Sequence, residues 1–559
     1  TTTGTAVAAT SELLVTEVGS NFYSNYGAWF EVYNNTDTNL DLSQYSFKTT
    51  AKQPTGTNSF TWTTLSFTAS MILAPRAYGL IVSQATDNMY VPSNVALIPA
   101  NNGVLPWWYG DGFIEISKSG ATIDCVRFGS DASTPLSGDA WSGSNAPALP
   151  YYSSETNESS VIGRSIQRAL NLADSNSGSD WTLRSFATPG GMNDVTDDTD
   201  ADGDGIPDSC EQSGKTFIGL SVYDWGARAG QKDIFMHINY MNSSHLGLTP
   251  NEQALDKVAA VFLGRGYHLH FDVGNLFSSG RHNLDGSNSH QIPLSEYITL
   301  GVEAGSTNLY ELKAQYLPLA RRQFFYYCVF GNKQSNESST GLGECPGNDF
   351  LLSLGIVNFT NTYYTETQRN NYLINEQAST LMHEFGHNLG LKHGGGEDQN
   401  YKPNYISTMN YLYSWGLPDI ANDMAGDRYY HMKWSREGYS SASIWKQYFP
   451  NASLSMHNNA WSTDFVINYS DGTMGTLDEN SLSESFGLGN GSRPVDWNGD
   501  GSTTSSGLSL NITPNYDIDR TQISDYNDWS NINIFFKRSN FGVQGSLRAS
   551  STGTPSGGS

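Results

Sequence analysis

The chain has 559 residues and carries 30 Lys and Arg against 55 Asp and Glu, a formal charge of −25. This length exceeds what one hydrophobic core supports, so about two to four domains are expected. The acidic balance argues against nucleic acid and anionic membrane surfaces as partners, and it favours solubility and cation binding. No run of about 18 or more apolar residues occurs, so the sequence predicts no transmembrane segment.

Gly, Ser, Asn and Thr are abundant and Lys is scarce, which is typical of strand- and loop-rich extracellular proteins. The first residues, TTTGTAVAATSE, lack the charged and then apolar plan of a signal peptide. We therefore expect a secreted, extracellular protein whose export signal has been removed or was not included. Residues 1–10 are expected to form a flexible tail.

From residue 11 onward the pattern is that of β-strands. The runs LLVTEV, WFEVYN and YGLIVS are rich in Val, Tyr, Phe and Leu, and turn-forming residues separate them. The order ELLVTEV, WFEVYNNTDTNLDLSQYSF, GDGFIEISKSGATIDCVRFG and DWTLRSFATPGGMN resembles the lamin-tail domain, an immunoglobulin-like β-sandwich, over residues 11–193. The resemblance implies a binding or spacing module, whose partner would be a surface or matrix ligand, with no catalytic constellation.

Two segments of this domain, residues 106–109 and 133–158, are longer than the minimal pattern, so the strand count stays open. The first of them is the aromatic run Pro-Trp-Trp-Tyr. Either these aromatic side chains are exposed and form a ligand patch, or they pack within an ordinary loop.

An acidic linker containing DDTDADGDGIPDSCE lies within residues 194–215. Seven of its residues match positions 1, 3, 5, 6, 7, 9 and 12 of a calcium loop: Asp200, Asp202, Asp204, Gly205, Ile206, Asp208 and Glu211. In this pattern the Gly permits a sharp turn and the Ile contributes its backbone carbonyl. The flanks do not read as paired helices, so we expect a lone calcium loop like those of thrombospondin type 3 repeats. The alternative is a solvated acidic linker.

The four cysteines are Cys125, Cys210, Cys328 and Cys345, and the sequence alone allows three full pairings. We favour a Cys328–Cys345 bridge, because it would close a short loop rich in Gly, Asn and Ser. Cys125–Cys210 would then join the first domain to the linker after it. Four free buried thiols are the alternative. A zinc cluster of cysteines is disfavoured because no C-x-x-C pair occurs.

Strand and helix patterns alternate from about residue 216. Residues 233–240 and 267–273 predict strands, with an amphipathic helix at Glu252–Leu263 between them. Residues 309–330 predict a helix running into a strand, and residues 350–356 predict a short edge strand. A further helix is predicted at residues 371–390. Its apolar face is formed by residues at offsets 0, 3, 4, 7 and 11: Ala378, Leu381, Met382, Phe385 and Leu389.

The segment LMHEFGHNLGLKHGGG at residues 381–396 contains the spacing H-E-x-x-H-x-x-G-x-x-H. His383 and His387 are four residues apart, so both imidazoles project from one helix face and can reach one metal ion. Gly390 can adopt a left-handed conformation and end the helix, which lets His393 approach from another direction. Three nitrogen ligands leave one position for water, the arrangement of a catalytic zinc. The alternative is an amphipathic helix with surface histidines.

This pattern resembles the metzincin superfamily of zinc endopeptidases. That superfamily carries a Met in a tight turn beneath the metal, and Met409 in the segment STMNY matches it, sixteen residues after the third His. Tyr411 matches a position where some metzincins carry a tyrosine that approaches the metal or the developing oxyanion. The segments KDIFMHINYM, GYHLHFDVG, NYKPNYISTMNY and INYSDGTMGTLDENSLSE resemble a group of secreted microbial metzincins, and they assign residues 216–490 to the catalytic domain.

The resemblance implies hydrolysis of protein or peptide substrates. Zinc would lie on His383, His387 and His393. Glu384 would be the general base, and Tyr411 would donate to the oxyanion.

His268 and His270 alternate on a predicted strand and share a face with Asp272. A second metal site there is one interpretation, and hydrogen-bonded structural histidines are the favoured one. Near the C-terminus, residues 491–549 form a separate predicted segment with a second acidic loop.

In this second loop, Asp496, Asn498 and Asp500 match positions 1, 3 and 5 of a calcium loop. Position 12 is Gly507, so the bidentate carboxylate is missing. Either later acidic residues complete a calcium site here, or the segment is a simple Asn/Gly turn. Residues 550–559 predict a disordered tail.

The predicted fold class is therefore multidomain, with an N-terminal immunoglobulin-like β-sandwich, a calcium-loop linker and an α/β metzincin-like catalytic domain. The predicted function is that of a secreted zinc endopeptidase with zinc and calcium as cofactors. One rival is an extracellular binding or adhesion protein that retains an inactive metzincin domain; the intact Glu384 argues against it. A second rival is a zinc hydrolase of non-peptide amides.

Overall fold

The structure is a computed structural model, and it describes residues 10–19, 28–52, 60–84, 91–99, 105, 106, 108, 110–150, 163–284, 286, 288–301, 303–335, 338–413, 416–418, 459–513 and 521–534. The predicted tail at residues 550–559 lies outside the described residues, and so do residues 1–9 of the predicted N-terminal tail. Trp107, Tyr109 and residues 151–158 of the two long N-terminal segments also lie outside them.

Strands dominate the described part of the chain. Its helices are α1 (Glu252–Leu263), α2 (Leu309–Tyr316), α3 (Glu366–Asn388) and α4 (Asp528–Asn531). Among these described helices, none has the length and apolar character needed to cross a membrane. The chain divides into two compact units. The described residues up to Ile234, together with Tyr310–Phe325, form the first unit, and those within Phe235–Leu309 and Tyr326–Ile534 form the second.

The strands of the first unit are β1 (Leu13–Gly19), β2 (Trp29–Asn34), β3 (Leu40–Asp41), β4 (Ser46–Lys52), β5 (Phe60–Ser66), β6 (Ile72–Leu73), β7 (Tyr78–Gln84), β8 (Val95–Pro99), β9 (Leu105–Pro106), β10 (Gly112–Lys118), β11 (Ala121–Phe128), β12 (Ser165–Arg168) and β13 (Trp181–Arg184). One sheet has the order β13-β12-β1-β2-β7-β8, and all its pairs are antiparallel except β7–β8. The other has the order β11-β10-β4-β5, with β9 also paired to β4. The runs LLVTEV, WFEVYN and YGLIVS are β1, β2 and β7, so these strand predictions are confirmed.

Side chains from both sheets of the first unit share one apolar core. Val15 and Phe30 enter it from the first sheet, and Phe47 and Ile114 enter it from the second. Trp108 also belongs to this core: its indole N–H donates to the carbonyl of Gly19 at 3.0 Å, and only 1% of its surface is exposed. Ordinary packing, rather than an exposed ligand patch, is therefore the correct interpretation for Trp108.

The first unit also buries two carboxyl groups against each other. Glu17 on β1 and Glu31 on β2 are directly paired across the sheet, and both are fully buried. Glu17 accepts a hydrogen bond from the backbone N–H of Thr188 at 2.8 Å, and Glu31 accepts one from that of Gly190 at 2.6 Å. Burial raises the pKa of Glu17 to about 7, and burial together with the neighbouring Glu17 raises the pKa of Glu31.

The strands of the second unit, counting those at its borders, are β14 (Lys232–Met241), β15 (Tyr267–Asp272), β16 (Gln291–Ile292), β17 (Ile298–Thr299), β18 (Thr307–Asn308), β19 (Phe325–Phe330), β20 (Gly341–Gly343), β21 (Asp349–Leu352), β22 (Thr476–Asp478), β23 (Leu482–Ser483), β24 (Ser506–Leu508) and β25 (Gln522–Ser524). The main sheet has the order β15-β14-β19-β21-β20, with β16 paired to β14. The predicted strands at residues 233–240 and 267–273 are β14 and β15, and the helix predicted at Glu252–Leu263 is α1, so these predictions are confirmed.

The prediction that residues 350–356 form an edge strand is wrong. The corresponding strand, β21, lies between β19 and β20, and β20 is the strand at the end of this sheet path. β20 consists of Gly341, Leu342 and Gly343, and so short a Gly-rich run carries no strand signal in the sequence.

Helix α3 carries the histidine motif and begins five residues earlier than the predicted residue 371. Thr365 and Gln368 form a capping box that satisfies the first backbone N–H groups. The apolar face is fully buried as predicted. Phe385 at its centre packs against Phe262 of α1 and Tyr326 of β19, at ring-centroid distances of 5.4 and 4.9 Å.

The domain boundaries differ from those predicted. The first unit continues past residues 193 and 215 to Ile234, because Asp194 accepts hydrogen bonds from Thr216 and Ile218. The described part of the predicted C-terminal segment belongs to the second unit. It contributes Val495, Trp497, Ile512 and Ile523 to a core shared with Leu412, Met474 and Leu477.

The buried Glu17–Glu31 pair predicts that the first unit loses stability as the pH rises. The unfolded chain releases the Glu17 proton near pH 4.3 and the folded chain near 7, so the folded state holds more protons between these values. Hydrogen exchange of the β1 and β2 amides in the full chain, corrected for intrinsic rates, should show less protection at pH 8 than at pH 5.5. Glu17→Gln should reduce this difference, and an unchanged difference in that variant would contradict the assignment.

Candidate metal centre

Three imidazoles converge at the C-terminal end of α3. His383 and His387 lie on adjacent turns of the helix, and His393 follows it; the ring centroids lie 4.9 to 5.3 Å apart. One nitrogen of each ring lies within 4.8 Å of those of the other two rings. The Nε2 atoms of all three are buried and have no hydrogen-bond partner. Because a buried polar atom without a partner is costly, these three atoms fit a ligand that bonds to nitrogen, such as a metal ion.

The chain after the helix places His393. Gly390 has φ of +96°, the left-handed conformation that was predicted to end the helix. The backbone N–H of Leu391 then donates to the carbonyl of Gly386 at 2.9 Å and reverses the direction of the chain. His393 consequently reaches the two helical histidines.

Two backbone carbonyls fix the orientation of the helical imidazoles. The Nδ1 atom of His383 lies 2.9 Å from the carbonyl oxygen of Thr408, and that of His387 lies 2.8 Å from the carbonyl oxygen of Leu391. A carbonyl oxygen only accepts, so each Nδ1 donates and each neutral ring keeps a lone pair on Nε2. This is the arrangement in which metal-binding histidines are held.

Burial keeps these imidazoles neutral. It lowers the pKa of His383 and His387, and the neighbouring histidines lower that of His387 further. The pKa of His393 falls to about 3 for the same reasons. The neutral form is the one that binds a metal, so the electrostatics and the geometry agree. Three nitrogen donors with one remaining position fit zinc.

The predicted Met turn lies under α3. Met409 is fully buried, and a β-carbon added to Gly386 would come within 2.3 Å of its Sδ atom. Gly386 lies between the two helical histidines in sequence, so the thioether packs directly beneath that part of the helix. The absence of a side chain at Gly386 permits this contact.

Asp528 of α4, which no sequence pattern indicated, holds the Met turn. Its carboxylate is fully buried and accepts hydrogen bonds from the hydroxyl of Ser407 at 2.7 Å and from that of Tyr405 at 2.8 Å. The Ser407 hydroxyl oxygen in turn accepts from the backbone N–H of Met409 at 3.2 Å. No spacing in the sequence could have identified Asp528, because it lies more than 100 positions after the turn that it contacts.

Glu384 and Tyr411 lie beside the histidines as predicted. Glu384 is 3% exposed, its Oε2 has no hydrogen-bond partner, and burial raises its pKa to about 8. The Tyr411 ring lies 4.3 Å from that of His393 and 5.5 Å from that of His383, measured between centroids. The Tyr411 ring therefore lies beside two of the three imidazoles, and Glu384 is the residue that follows His383 on the helix.

β20 passes next to Glu384. A β-carbon on Gly341 would come within 2.4 Å of the Glu384 Oε1 atom, and one on Gly343 within 2.9 Å of the Glu384 backbone oxygen. Glycine at both positions therefore leaves the room that the Glu384 side chain and its helix occupy.

The predicted calcium loop has the expected backbone. The two carboxylate oxygens of Asp200 accept from the N–H groups of Gly203 and Gly205 at 2.9 and 3.1 Å, and Gly205 has φ of +100°. Asp204 accepts from the N–H of Ile206 at 2.8 Å. The predicted carboxylates at positions 1, 3, 5, 9 and 12 lie in overlapping groups of three. Within each group, the ligand atoms are within 4.8 Å of one another.

Glu211 is the carboxylate of this loop whose surroundings best fit a cation. It is 3% exposed, and neither of its carboxylate oxygens has a hydrogen-bond partner. Burial, and then repulsion from Asp204 and Asp202, raises its pKa to about 9. Asp233 joins Asp204 and Glu211 in one buried group, although it lies 22 positions after Glu211 and outside the loop motif. Its position at the start of a strand gave no sign of this role.

The second acidic loop repeats the same backbone pattern. Asp496 accepts from the N–H groups of Gly499 and Gly501, and Asp500 accepts from that of Ser502 at 2.7 Å. The buried carboxylate beside it is that of Glu484, whose oxygens accept from the N–H groups of Trp497 and Ser505. The loop is thus held by main-chain hydrogen bonds, and calcium on Asp496, Asn498 and Asp500 stays a prediction.

The favoured disulfides are absent: Cys125, Cys210, Cys328 and Cys345 are all unbonded. Cys328 is fully buried in β19, whereas the thiol of Cys345 lies 3.5 Å from the carbonyl oxygen of Leu391. The first two thiols are also buried. The alternative of four free buried thiols therefore describes this structure, except that Cys345 is only partly buried.

Comparison with known proteins adds no assignment. No family model matches the chain, and no curated protein matches it either. The function must therefore be argued from the side chains themselves.

The acidic loop predicts calcium-dependent stability. A cation that binds only the folded chain adds about 2.7 kcal/mol at a hundredfold excess over its Kd. With zinc present throughout, calcium should raise the melting temperature of the wild type and should have little effect on Glu211→Gln or Asp233→Asn. Asp139→Asn, at an exposed site outside the loop, is the control and should respond like the wild type. Equal calcium responses in the wild type and Glu211→Gln would refute the site.

Proposed function

We propose that this protein is a secreted zinc-dependent endopeptidase of the metzincin type. The observation that supports the proposal best is the convergence of three neutral imidazoles whose Nε2 atoms are buried and have no hydrogen-bond partner, beside a buried glutamate. We interpret the two-sheet first unit as an immunoglobulin-like, lamin-tail domain that binds a surface or matrix ligand. Calcium on the acidic loop would stabilise the segment after this domain.

The three histidines and Glu384 would have separate roles in peptide hydrolysis. His383, His387 and His393 would hold zinc, which when bound lowers the pKa of a water and polarises a carbonyl. Glu384 accepts the proton of the attacking water and passes it to the leaving amine. Its position suits this role, because Oε2 is buried and has no hydrogen-bond partner within the protein.

Tyr411 would donate a hydrogen bond to the oxyanion, and the packing of its ring against two of the three imidazoles supports this role. Among the described strands, β20 is the last on its side of the sheet, and it lies beside Glu384. A substrate in extended conformation would add to such an edge through backbone hydrogen bonds, which brings its peptide bond near the glutamate. The substrate class is therefore a protein or an extended peptide.

Replacing the proton acceptor separates this enzyme from an inactive binding protein. Glu384→Gln keeps the side-chain size and all three imidazoles, so zinc should be retained while casein hydrolysis falls by roughly 10²–10⁴-fold. Tyr411→Phe should cost less, at most on the order of 10²–10³-fold. Zinc content and hydrolysis rate are measured together. If Glu384→Gln cleaves casein as fast as the wild type, the mechanism is wrong.

The close approach of Gly341 to Glu384 gives a second test. Gly341→Ala would push the carboxylate aside, since the new β-carbon would lie within 2.4 Å of Oε1. The new β-carbon would also lie within 2.6 Å of Cγ and Cδ of Glu384, so the whole side chain must shift. A shift of about 1 Å in a catalytic group can reduce the rate about 10²-fold. We expect normal zinc content, since all three imidazoles remain, with strongly reduced casein hydrolysis.

Gly301→Ala is the matched control, because a β-carbon there meets nothing within 4 Å. It should hydrolyse casein at the wild-type rate. Full activity in Gly341→Ala would show that the position of Glu384 does not limit the reaction.

A further inference from the structure

A second group of potential metal ligands lies on the main sheet of the second unit. His237 is in β14, Asp272 ends β15, and His290 immediately precedes β16. The three side chains are 2%, 0% and 4% exposed. One ligand atom from each lies within 4.8 Å of those of the other two. The sequence placed Asp272 with His268 and His270 instead, and the ring of His270 stacks on Phe235 at 4.6 Å.

The tautomer of His290 is fixed by the backbone. Its Nδ1 lies 3.1 Å from the carbonyl oxygen of Ile238, which can only accept, so Nδ1 carries the hydrogen. In the neutral ring Nε2 then has a lone pair, and it faces Oδ2 of Asp272 at 3.9 Å. The same device, an Nδ1–H donated to a carbonyl, orients His383 and His387 in the first site.

The distance of 3.9 Å between Nε2 of His290 and Oδ2 of Asp272 is informative. It is longer than a hydrogen bond, which spans about 2.7–3.2 Å. Ligand atoms bond to zinc at about 2.0–2.2 Å. Two such atoms on one zinc are roughly 3.4 Å apart at the tetrahedral angle, and at most about 4.2 Å apart if they lie on opposite sides of the ion. The gap therefore has the size of an ion shared by the two groups, not that of a shared proton.

The orientation of the Asp272 carboxylate is fixed by backbone hydrogen bonds. Its Oδ1 accepts from the backbone N–H groups of Gly274 at 3.0 Å and Leu284 at 3.2 Å. These two hydrogen bonds orient the carboxylate and direct Oδ2 toward His290. Asp272 is fully buried, and a carboxylate oxygen is a common zinc ligand.

The third donor is His237, which belongs to a stack of aromatic rings. His237 lies over His290 with centroids 4.0 Å apart and planes inclined by 26°, and Tyr327 lies over His237 at 5.9 Å. The phenol of Tyr327 donates to Asn239 at 2.9 Å, so the stack is anchored on its outer side. Two imidazoles and one carboxylate form a donor set that suits zinc.

We propose that His237, Asp272 and His290 form a second zinc site. It would join β14, β15 and the segment that enters β16, and so stabilise the sheet that supports α3. This inference does not depend on peptidase activity, because it concerns a separate set of ligands.

Zinc content of the full chain tests the proposal. After equilibration with zinc in the presence of excess calcium and removal of loosely bound metal, the wild type should retain two zinc ions per chain. Asp272→Asn and His290→Gln should each retain one. His268→Gln, on the same strand as Asp272 but outside the cluster, is the matched control and should retain two. His387→Ala removes a ligand of the first site and should retain one.

Anomalous diffraction from wild-type crystals at the zinc absorption edge gives a test that needs no variant. Two peaks are expected, one among His383, His387 and His393 and one among His237, Asp272 and His290. A single peak at the first site, or a wild type that retains only one zinc, overturns the proposal and assigns a proton to the second cluster. An Asp272→Asn variant that still retains two zinc ions also overturns it.

Discussion

The metal centre depends on two hydrogen bonds in which an imidazole N–H donates to a backbone carbonyl. His383 donates to Thr408 and His387 donates to Leu391. Each bond satisfies one nitrogen of a buried ring and leaves the other without a partner, which is unfavourable unless a metal occupies the site. The two acceptors come from different places, one from the Met turn and one from the turn after α3. The site is therefore built only when the helix, the turn that ends it and the Met turn are all in position.

That requirement gives the C-terminal part of the chain a structural role. Asp528 accepts hydrogen bonds from Tyr405 and Ser407, and Ser407 accepts from the backbone of Met409. The carboxylate is fully buried, so loss of any one donor would leave part of a charge unsatisfied. The C-terminal segment, which the sequence predicts to be separate from the catalytic domain, thus fixes the turn whose carbonyl orients His383.

Buried acidic groups recur elsewhere and need different explanations. Glu211 has two carboxylate oxygens without partners among other carboxylates, which indicates a cation. Glu484 is equally buried, but its oxygens accept backbone N–H groups and need none. Glu17 and Glu31 face each other, and their donors are the neutral groups of Ser165, Gln167 and Thr188 for Glu17 and of Thr16 and Gly190 for Glu31, which favours a proton on the pair. The surroundings of a buried glutamate therefore differ: they fit a cation at Glu211, backbone N–H groups at Glu484 and a proton at the Glu17–Glu31 pair.

The sequence by itself determined the parts that depend on local spacing. These include the histidines and glutamate of α3, the left-handed Gly390, the carboxylates of the first acidic loop and the longer strands, because helix and turn geometry fix neighbours a few residues apart. Only the tertiary structure brought Asp528 to the Met turn, Asp233 to Glu211, and His237 and His290 to Asp272. It also placed the three-residue β20 at the end of its sheet and left Cys328 and Cys345 unbonded. These contacts join residues far apart in the chain, and no local periodicity encodes which strands become neighbours.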